Sequence, residues 1–483
     1  KLATAKNIHN WQIRKRPVLP LRSGYFDEKN IDIIALNYLS KGIALLYQSR
    51  NLKKTKEEVS IGLAFFAHDN SAHLHWRSDT PIWSKSGRKN KINILGAQIT
   101  EDTILIYFKR DRYKIHTVEI PNPLASRKLT KKRLALKRHH QNPIISPEGG
   151  QPWESVGTFN PAVLHHEDKV HILYRAADKN GVSYVGYAVS HDGVNIDYRH
   201  NMPCYWPRAD FESGFGERPY SRWSKGFASG GTWGGCEDPK VTLIDGRVYM
   251  TYVGHSGTPG ILLITSIDLD DFLNHRWKKW TWPKVLYYPR IGPDINPPFG
   301  ESINKSAVIF PERINGKYVI FHRIPPVVRI HYADSLEDLG YPNELEIHAS
   351  IESRSHSWDS QKLSIGSTPI RTQEGWLVIY HAVDSRDSSK YKIGAMLLDH
   401  NDPEKILHRT NSPILEPDMD YENDWKPGVA YPSGAAIIND TLHVYYGGGD
   451  KHVCVASANI DDFLEDLMTE QEPKLNFDQI VVS

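Results

Sequence analysis

GGCEDPKVTLIDGRVYMTY, residues 234–252, is the stretch that decides the fold. Behind an acidic pair, Glu237 and Asp238, apolar and polar residues alternate into Asp245–Gly246 and out again to Tyr252. Alternation with period two marks a strand, and Asp-Gly between two such runs marks a tight hairpin. The same unit recurs in IALNYLSKGIALLYQ, GAQITEDTILIYF, NPAVLHHEDKVHILYR, KSAVIFPERINGKYVIFHR, STPIRTQEGWLVIYH and SGAAIINDTLHVYYGG, with turns KG, ED, ED, NG, EG and ND. Each second strand carries an aromatic residue: Tyr47, Tyr107, Tyr174, Tyr252, Phe321, Tyr380 and Tyr446. These lie about 60 to 80 residues apart, room for about four short strands per copy. Repeated hairpins at this period predict a β-propeller; a β-sandwich has similar hairpins but no need of sevenfold self-similarity. The acidic pair occurs in one copy only.

The 483 residues are enough for a large core or for more than one domain. Aromatics make up 11%, mostly Tyr and Trp, which favours strands and sugar-type surfaces over a helical bundle. A net charge of +2 argues against nucleic acid or an anionic membrane as partner. The three cysteines, Cys204, Cys236 and Cys454, are odd in number and widely spaced, so a reducing, cytoplasmic setting is expected. No apolar run reaches the roughly 18 residues that span a bilayer. The chain starts at Lys1, which leaves a removed leader open.

The copies differ in a way that divides the chain. The five from Asn160 onward carry polar or charged residues ahead of the first strand, whereas the first two carry Ile34, Ala35, Gly96, Ala97 and Gln98 there. Between the groups lies ASRKLTKKRLALKRHHQ, residues 125–141, read as a solvated linker or edge strand. The expected boundaries are an N-terminal β region over 1–140, a catalytic domain over 141–470 and a tail over 471–483. Short helices are expected at LDDFLNHR and IDDFLEDL, each with Asp at its start.

In a propeller the innermost strands begin at a shared funnel. That rule gathers Asn160, Glu237, Asp238, Asn304, Lys305, the segment from Ser367 to Arg371, Tyr431 and Ser433. The ends of the second strands add Arg175, His322, Arg323, Tyr380 and His381. A carboxylate there suits a general acid for a glycosidic oxygen, and a cation cluster suits an anionic nucleophile such as phosphate. Bland readings stand beside these. Asp238 before Pro239 also suits a strand-entry cap, Glu312 a turn, His322 and His381 core positions, and Lys305, Arg323 and Arg371 surface charges. The 23 histidines show no metal-ligand spacing, and no P-loop, GxSxG or dinucleotide fingerprint occurs, so no metal or cofactor is expected.

These residues resemble the mannoside phosphorylases and mannosidases of glycoside hydrolase family 130. GGCEDPKVTLIDGRVYMTY is similar to the family's G-x-E-D-P-R segment and its DG hairpin. NPAVL…ILYRA, INKSAVIFPERINGKYVIFHR, GWLVIYHAV and YPSGAA…YYGGGD follow in the same order, over roughly residues 140–470. The resemblance implies an all-β fold, a five-bladed catalytic propeller with an N-terminal accessory β segment of two blade-like repeats. A seven-bladed ring is the alternative. It further implies inverting phosphorolysis of β-linked mannosides to α-mannose 1-phosphate, with inorganic phosphate as co-substrate. Asp238 would be the catalytic acid, delivering its proton through a sugar hydroxyl. Asn160, Arg175 and Asp450, with Glu237 beside Asp238, would hold the mannosyl unit. Lys305, Arg323, Arg371 and His381, with Tyr380, would hold phosphate. A hydrolase using water and a non-catalytic carbohydrate-binding propeller are the competing readings, and a homo-oligomer is compatible with the sequence.

The chain departs from the family pattern in three places. Lys240 stands where the family commonly has Arg, and Lys305 and Arg371 exchange the usual Arg and Lys. The stretch ADFESGFGERPYSRWSKGFASGGTWGG reads as a long loop over the funnel, whose Trp223 and Trp233 would either stack on a sugar or pin the loop.

Overall fold

In a computed structural model, the described residues are 3–469 without 8–9, 14–18, 40–41, 54–55, 67–73, 89–91, 101–102, 110–113, 123–133, 148–149, 213–229, 257–259, 288–303, 355–356 and 386. Trp223, the tail and most of the basic stretch therefore lie outside them. The chain is nearly all β and divides into two compact units, the larger spanning 133–470 and the smaller drawn from 1–132. The division falls ahead of the expected residue 140. Leu134 and Leu136 are buried in a core of the larger unit, and Lys137–Arg138 forms a strand there, paired with His452–Asn459.

Among the described residues the larger unit contains five antiparallel groups of strands, the first two joined into one eight-stranded sheet by a short parallel pairing of Val182 and Ser183 with Gly234 and Gly235. The first joins Gly157–His166, Lys169–Ala177, Val182–Ser190 and Tyr198–Arg199; the second Gly234–Ile244, Arg247–Ser256, Ile261–Asp268 and Lys284–Tyr287. The third joins Ala307–Ile309, Tyr318–Ile324, Val327–Ala333 and Ala349–Ile351. In the fourth, Lys362–Ile365 and Ile370–Arg371 both pair with Trp376–Asp384, followed by Asp387–Leu398 and Ile406–Arg409. The fifth joins Ala430–Ile438, Thr441–Gly448 and His452–Asn459, completed by Lys137–Arg138 from the start of the unit. Neighbouring groups meet near their first strands: Gly157–His166 lies against Gly234–Ile244 and Ala430–Ile438, and Gly234–Ile244 against Ala307–Ile309.

The KG turn at Lys41 and the ED turn at Glu101 lie outside the described residues, and three of the described turns bear out their sequence signals. Asp245–Gly246, Asn315–Gly316 and Asn439–Asp440 all have positive φ, the left-handed conformation that tight hairpins demand and that Gly, Asn and Asp tolerate best. The two short helices form at Leu269–Leu273 and Ile460–Thr469. None of the described helices is long and apolar enough to cross a membrane.

The repeated tyrosine has a structural task. Tyr174, Tyr252, Tyr380 and Tyr446 are buried and donate their hydroxyls to Glu154, Glu212, Asp359 and Glu422. Arg199 pairs with Glu154 at 2.9 Å, Arg354 with Asp359 at 3.1 Å and Arg138 with Glu422 at 2.7 Å. Three of these carboxylates are thus satisfied by a hydroxyl and a guanidinium, and Glu212 instead by the Tyr205 and Tyr252 hydroxyls and the backbone N–H groups of Arg208 and Ala209. A buried charge is tolerated when it is satisfied in this way. In the third group Phe321 takes the position and carries no hydroxyl. Gly186 and Gly394 make room for two of the rings: a methyl there would stand 2.3 Å from Tyr174 Cζ and 2.8 Å from Tyr380 Cζ.

In the smaller unit, Asp32–Leu39, Gly42–Lys53, Lys56–Phe66, Leu74–Arg77 and Trp83–Arg88 form one sheet, and Asn93–Ile99, Thr103–Lys109 and Ile115–Pro121 another. Leu46, Ile61 and Leu63 of the first share one core with Ile104, Ile106 and Val118 of the second. Tyr47 repeats the pin, its hydroxyl donating to Asp27, which pairs with Arg22 and Arg77.

Candidate active site

The first strands do not run straight into their hairpins. In the first group the register slips between Phe159 and Ala162, in the second between Glu237 and Lys240, and in the fifth between Pro432 and Gly434. Such a bulge inserts a residue and re-aims side chains. Asn160 and Asp238 occupy two of the slips with φ of 49° and 51°, and Asp450 has φ of 52°. Non-glycine residues held in this region cost on the order of 1–3 kcal/mol, and such strain gathers at functional sites.

These bends bring Asn160, Arg175, Glu237 and Asp238 together. Arg175 is buried and donates from Nη1 to Asp238 Oδ1 at 3.0 Å, from Nη2 to Glu237 Oε1 at 2.9 Å and from Nε to Ser183 at 3.0 Å. Asn160 Nδ2 donates to the same Oδ1 at 2.8 Å. Asp238 Oδ2 has no hydrogen-bond partner among the described residues, and the side chain is 13% exposed, so this oxygen is the one open to a ligand. Burial pushes the Asp238 carboxyl up, but Arg175, Asn160 and Lys240 outweigh it and hold the group below the ordinary carboxylate range. Without ligand it is ionised at neutral pH.

Positive charge surrounds this carboxylate. Lys240 is buried, donates from Nζ to the Gly366 and Ser433 carbonyls and lies over the Tyr431 ring. Burial lowers its pKa to about 7 against the pull of Asp238. Burial also lowers Lys305, which feels Glu237, Asp238, Arg323 and Arg175. His381 is buried, its ring 4.3 Å from that of Tyr431; burial, with Arg323, Lys362 and Lys240 nearby, holds it neutral. Asp450 pairs with Lys426 at 2.9 Å and acts on Arg175 and Tyr431. His322 stands beside the cluster but is held as a core histidine, accepting from Asn304 Nδ2 at 2.7 Å.

Two expected phosphate residues are not brought to the cluster. Tyr380 points to the opposite face of its strand from His381, into the core, where its hydroxyl donates to Asp359 at 3.0 Å. Successive strand residues face opposite ways, so Tyr380 and His381 cannot share a site. Arg371 pairs in register with Trp376, whereas His381 lies opposite Ser364. Its side chain is 57% exposed and bonded to Glu312, which explains that residue too. Trp233 lies against Gly181, the loop-pinning alternative.

The cluster contains residues the motif reasoning missed. Lys362 donates to the Tyr391 hydroxyl at 2.7 Å, and Lys426 lies over the Tyr391 ring. Burial pushes the Tyr391 phenol up, but Lys362, Lys426 and Arg323 outweigh it and lower its pKa. Lys362 opens the first strand of its group, three residues ahead of the strand's end at Ile365, so its position in the repeat was the available signal. Tyr391 lies on a third strand, which the funnel rule does not examine.

Many buried polar atoms around this centre have no protein partner among the described residues: Asn160 Oδ1, Glu237 Oε2, Arg323 Nε, both His381 ring nitrogens, and the hydroxyls of Ser306, Ser364, Ser367 and Ser433. Buried groups of this kind are ordinarily paired, so their gathering at one place marks a site built for a polar ligand.

Known proteins are similar to this chain over the larger unit. The model of glycoside hydrolase family 130, described as beta-1,4-mannooligosaccharide phosphorylase, matches residues 135–470. A Beta-1,2-mannobiose phosphorylase of Thermoanaerobacter sp. (strain X514) is 36% identical over 66% of this chain and 96% of its own length. A 1,2-beta-oligomannan phosphorylase of the same organism is 34% identical over 68% and 99%. The solved Beta-1,2-mannobiose phosphorylase of Listeria innocua shares the fold with a TM-score of 0.53 at 24% identity, over 69% of this chain and 99% of that one.

Proposed function

This chain belongs to glycoside hydrolase family 130, and from that premise we propose that it is an inverting phosphorylase of β-1,2-linked mannosides, working on a five-bladed propeller formed by residues 133–470. The five strand groups, closed by Lys137–Arg138, support the propeller. The linkage rests on the two relatives above, whose names specify β-1,2. Residues 1–132 are an accessory unit. Phosphate is the co-substrate, and no further cofactor is required.

The observation that carries the reading is the charge around Asp238. Among the described residues, Arg175, Lys305, Arg323, Lys362 and Lys426 gather around Glu237, Asp238 and Asp450, more cations than carboxylates in this set, and Lys240, which loses its proton near pH 7, stands with them. A hydrolase has no use for that surplus; a phosphate dianion needs it. Lys305, Arg323, Lys362, His381 and Tyr391 would hold the anion, and Asn160, Arg175, Glu237 and Asp450 the mannosyl ring. A phosphate oxygen forms a bond to the anomeric carbon from the face opposite the leaving group. The glycosidic C–O bond breaks, and the leaving oxygen takes a proton that originates on Asp238 Oδ2 and passes through a sugar hydroxyl. The cations act by positioning and by stabilising charge.

An ionised Asp238 cannot donate. Bound phosphate resolves this, because its negative charge offsets the cations that keep Asp238 ionised and so raises its pKa. Proton loading is thereby tied to arrival of the nucleophile. The test is incubation with β-1,2-mannobiose with and without phosphate. α-Mannose 1-phosphate should form only with phosphate; free mannose released at the same rate without it would make the protein a hydrolase.

A further inference from the structure

Apolar side chains left exposed beside a polar cleft are unusual where nothing covers them. Trp425 is 56% exposed. Its segment is nevertheless fixed: Gly428 N–H donates to Asn423 Oδ1 at 2.9 Å, and Lys426 N–H donates to the Gly449 carbonyl at 2.9 Å. The indole is seated against Gly231, where a methyl would stand 3.2 Å from Nε1, 3.5 Å from Cζ2 and 3.6 Å from Cε2. The preceding Gly230 leads to the site, since a methyl there would lie 3.3 Å from Arg175 Nη1, the atom that holds Asp238. The next residue in the chain, Lys426, pairs with Asp450. On the other side, Asp424 accepts from Lys451 at 2.8 Å and His452 at 3.1 Å and is 45% exposed. Trp282, also exposed at 62%, instead precedes the outer strand Lys284–Tyr287.

From this arrangement we propose that Trp425 is the stacking platform for the pyranose ring on the leaving side of the cleaved bond, with Asp424 and Lys426 as its polar rim. A sugar ring has one face lined by C–H groups and an equator of hydroxyls. A fixed aromatic plane next to charged groups matches both, and holding the indole in place before binding lowers the entropic cost. The proposal rests on the site reading above and names its outer subsite.

The test compares Trp425→Ala and Trp425→Phe with the wild type on β-1,2-mannobiose. Loss of the ring should raise KM for the disaccharide about five- to tenfold. It should leave kcat and KM for phosphate within about twofold, and Trp425→Phe should recover most of the loss. An unchanged KM for the disaccharide in Trp425→Ala overturns the proposal while leaving the catalytic reading intact. Should the wild type turn nothing over, the catalytic reading fails and calorimetric binding of mannobiose decides. Weaker binding to Trp425→Ala than to wild type then supports the platform; equal binding, or none to either protein, overturns it.

Discussion

At Asp238, two donors occupy one carboxylate oxygen and leave the other free, in a setting that favours ionisation. Asp238→Asn should lower kcat by about 10²–10⁴-fold, the span of a lost general acid, with mannobiose affinity by calorimetry little changed. Calorimetric titration of phosphate at pH 8, in two buffers of different ionisation enthalpy, should show proton uptake in the wild type that is reduced in Asp238→Asn. Equal uptake in both would detach proton loading from this residue. The cations make a second comparison. Lys362→Ala should raise KM for phosphate about 10- to 100-fold, the value of a charge-assisted contact of about 1.5–3 kcal/mol. Arg371→Ala, lying outside the cluster, should leave it unchanged. The opposite ranking would restore Arg371 to the site.

At the scale of elements, two devices hold the strand groups in register. One is the pin of tyrosine, carboxylate and arginine. Glu422 accepts from Tyr446, Arg138 and the backbone N–H groups of Asp418 and Met419. Glu422→Ala strands Arg138 and should cost about 3–5 kcal/mol, read as a lower midpoint of thermal unfolding. The other is Lys240, which reaches from the second group to carbonyls of the fourth and fifth. Its amine gives up its proton near pH 7 when folded but near 10.5 when exposed. Between those values the unfolded chain binds a proton that the folded chain does not, so this group makes stability rise with pH. The stability of the wild type relative to Lys240→Met should therefore grow from pH 7 towards 10 and stay level below 7, as measured by denaturant titration.

At the scale of the whole molecule, the larger unit begins before its first full strand group. Leu134 and Leu136 are core residues, and Lys137–Arg138 completes the fifth group. A chain beginning at residue 134 should fold and retain turnover. One beginning at residue 142 removes the edge strand and the Arg138 pin, and should be insoluble or melt much lower. Equal behaviour of the two would show that the closure by Lys137–Arg138 is dispensable.

Much was legible in the sequence because it is local. Alternation and the turn pairs Asp245–Gly246 and Asn315–Gly316 determine hairpins within a few residues, and repetition determines how many. Asp238 stood out as the single acidic departure, and the expectation that Asn160, Arg175 and Lys305 converge on it follows from the repeat. The tertiary structure decided what depends on the direction of side chains. Tyr380 and His381 are neighbours in the chain but face opposite sides of one strand, so one pins the core and the other joins the site. Arg371 and Lys362 are both cations of one strand group, yet only Lys362 lies at the end that reaches the centre. Those assignments turn on register and on bulges, where a slip of one residue reverses every side chain, and no local pattern of residue types records that slip.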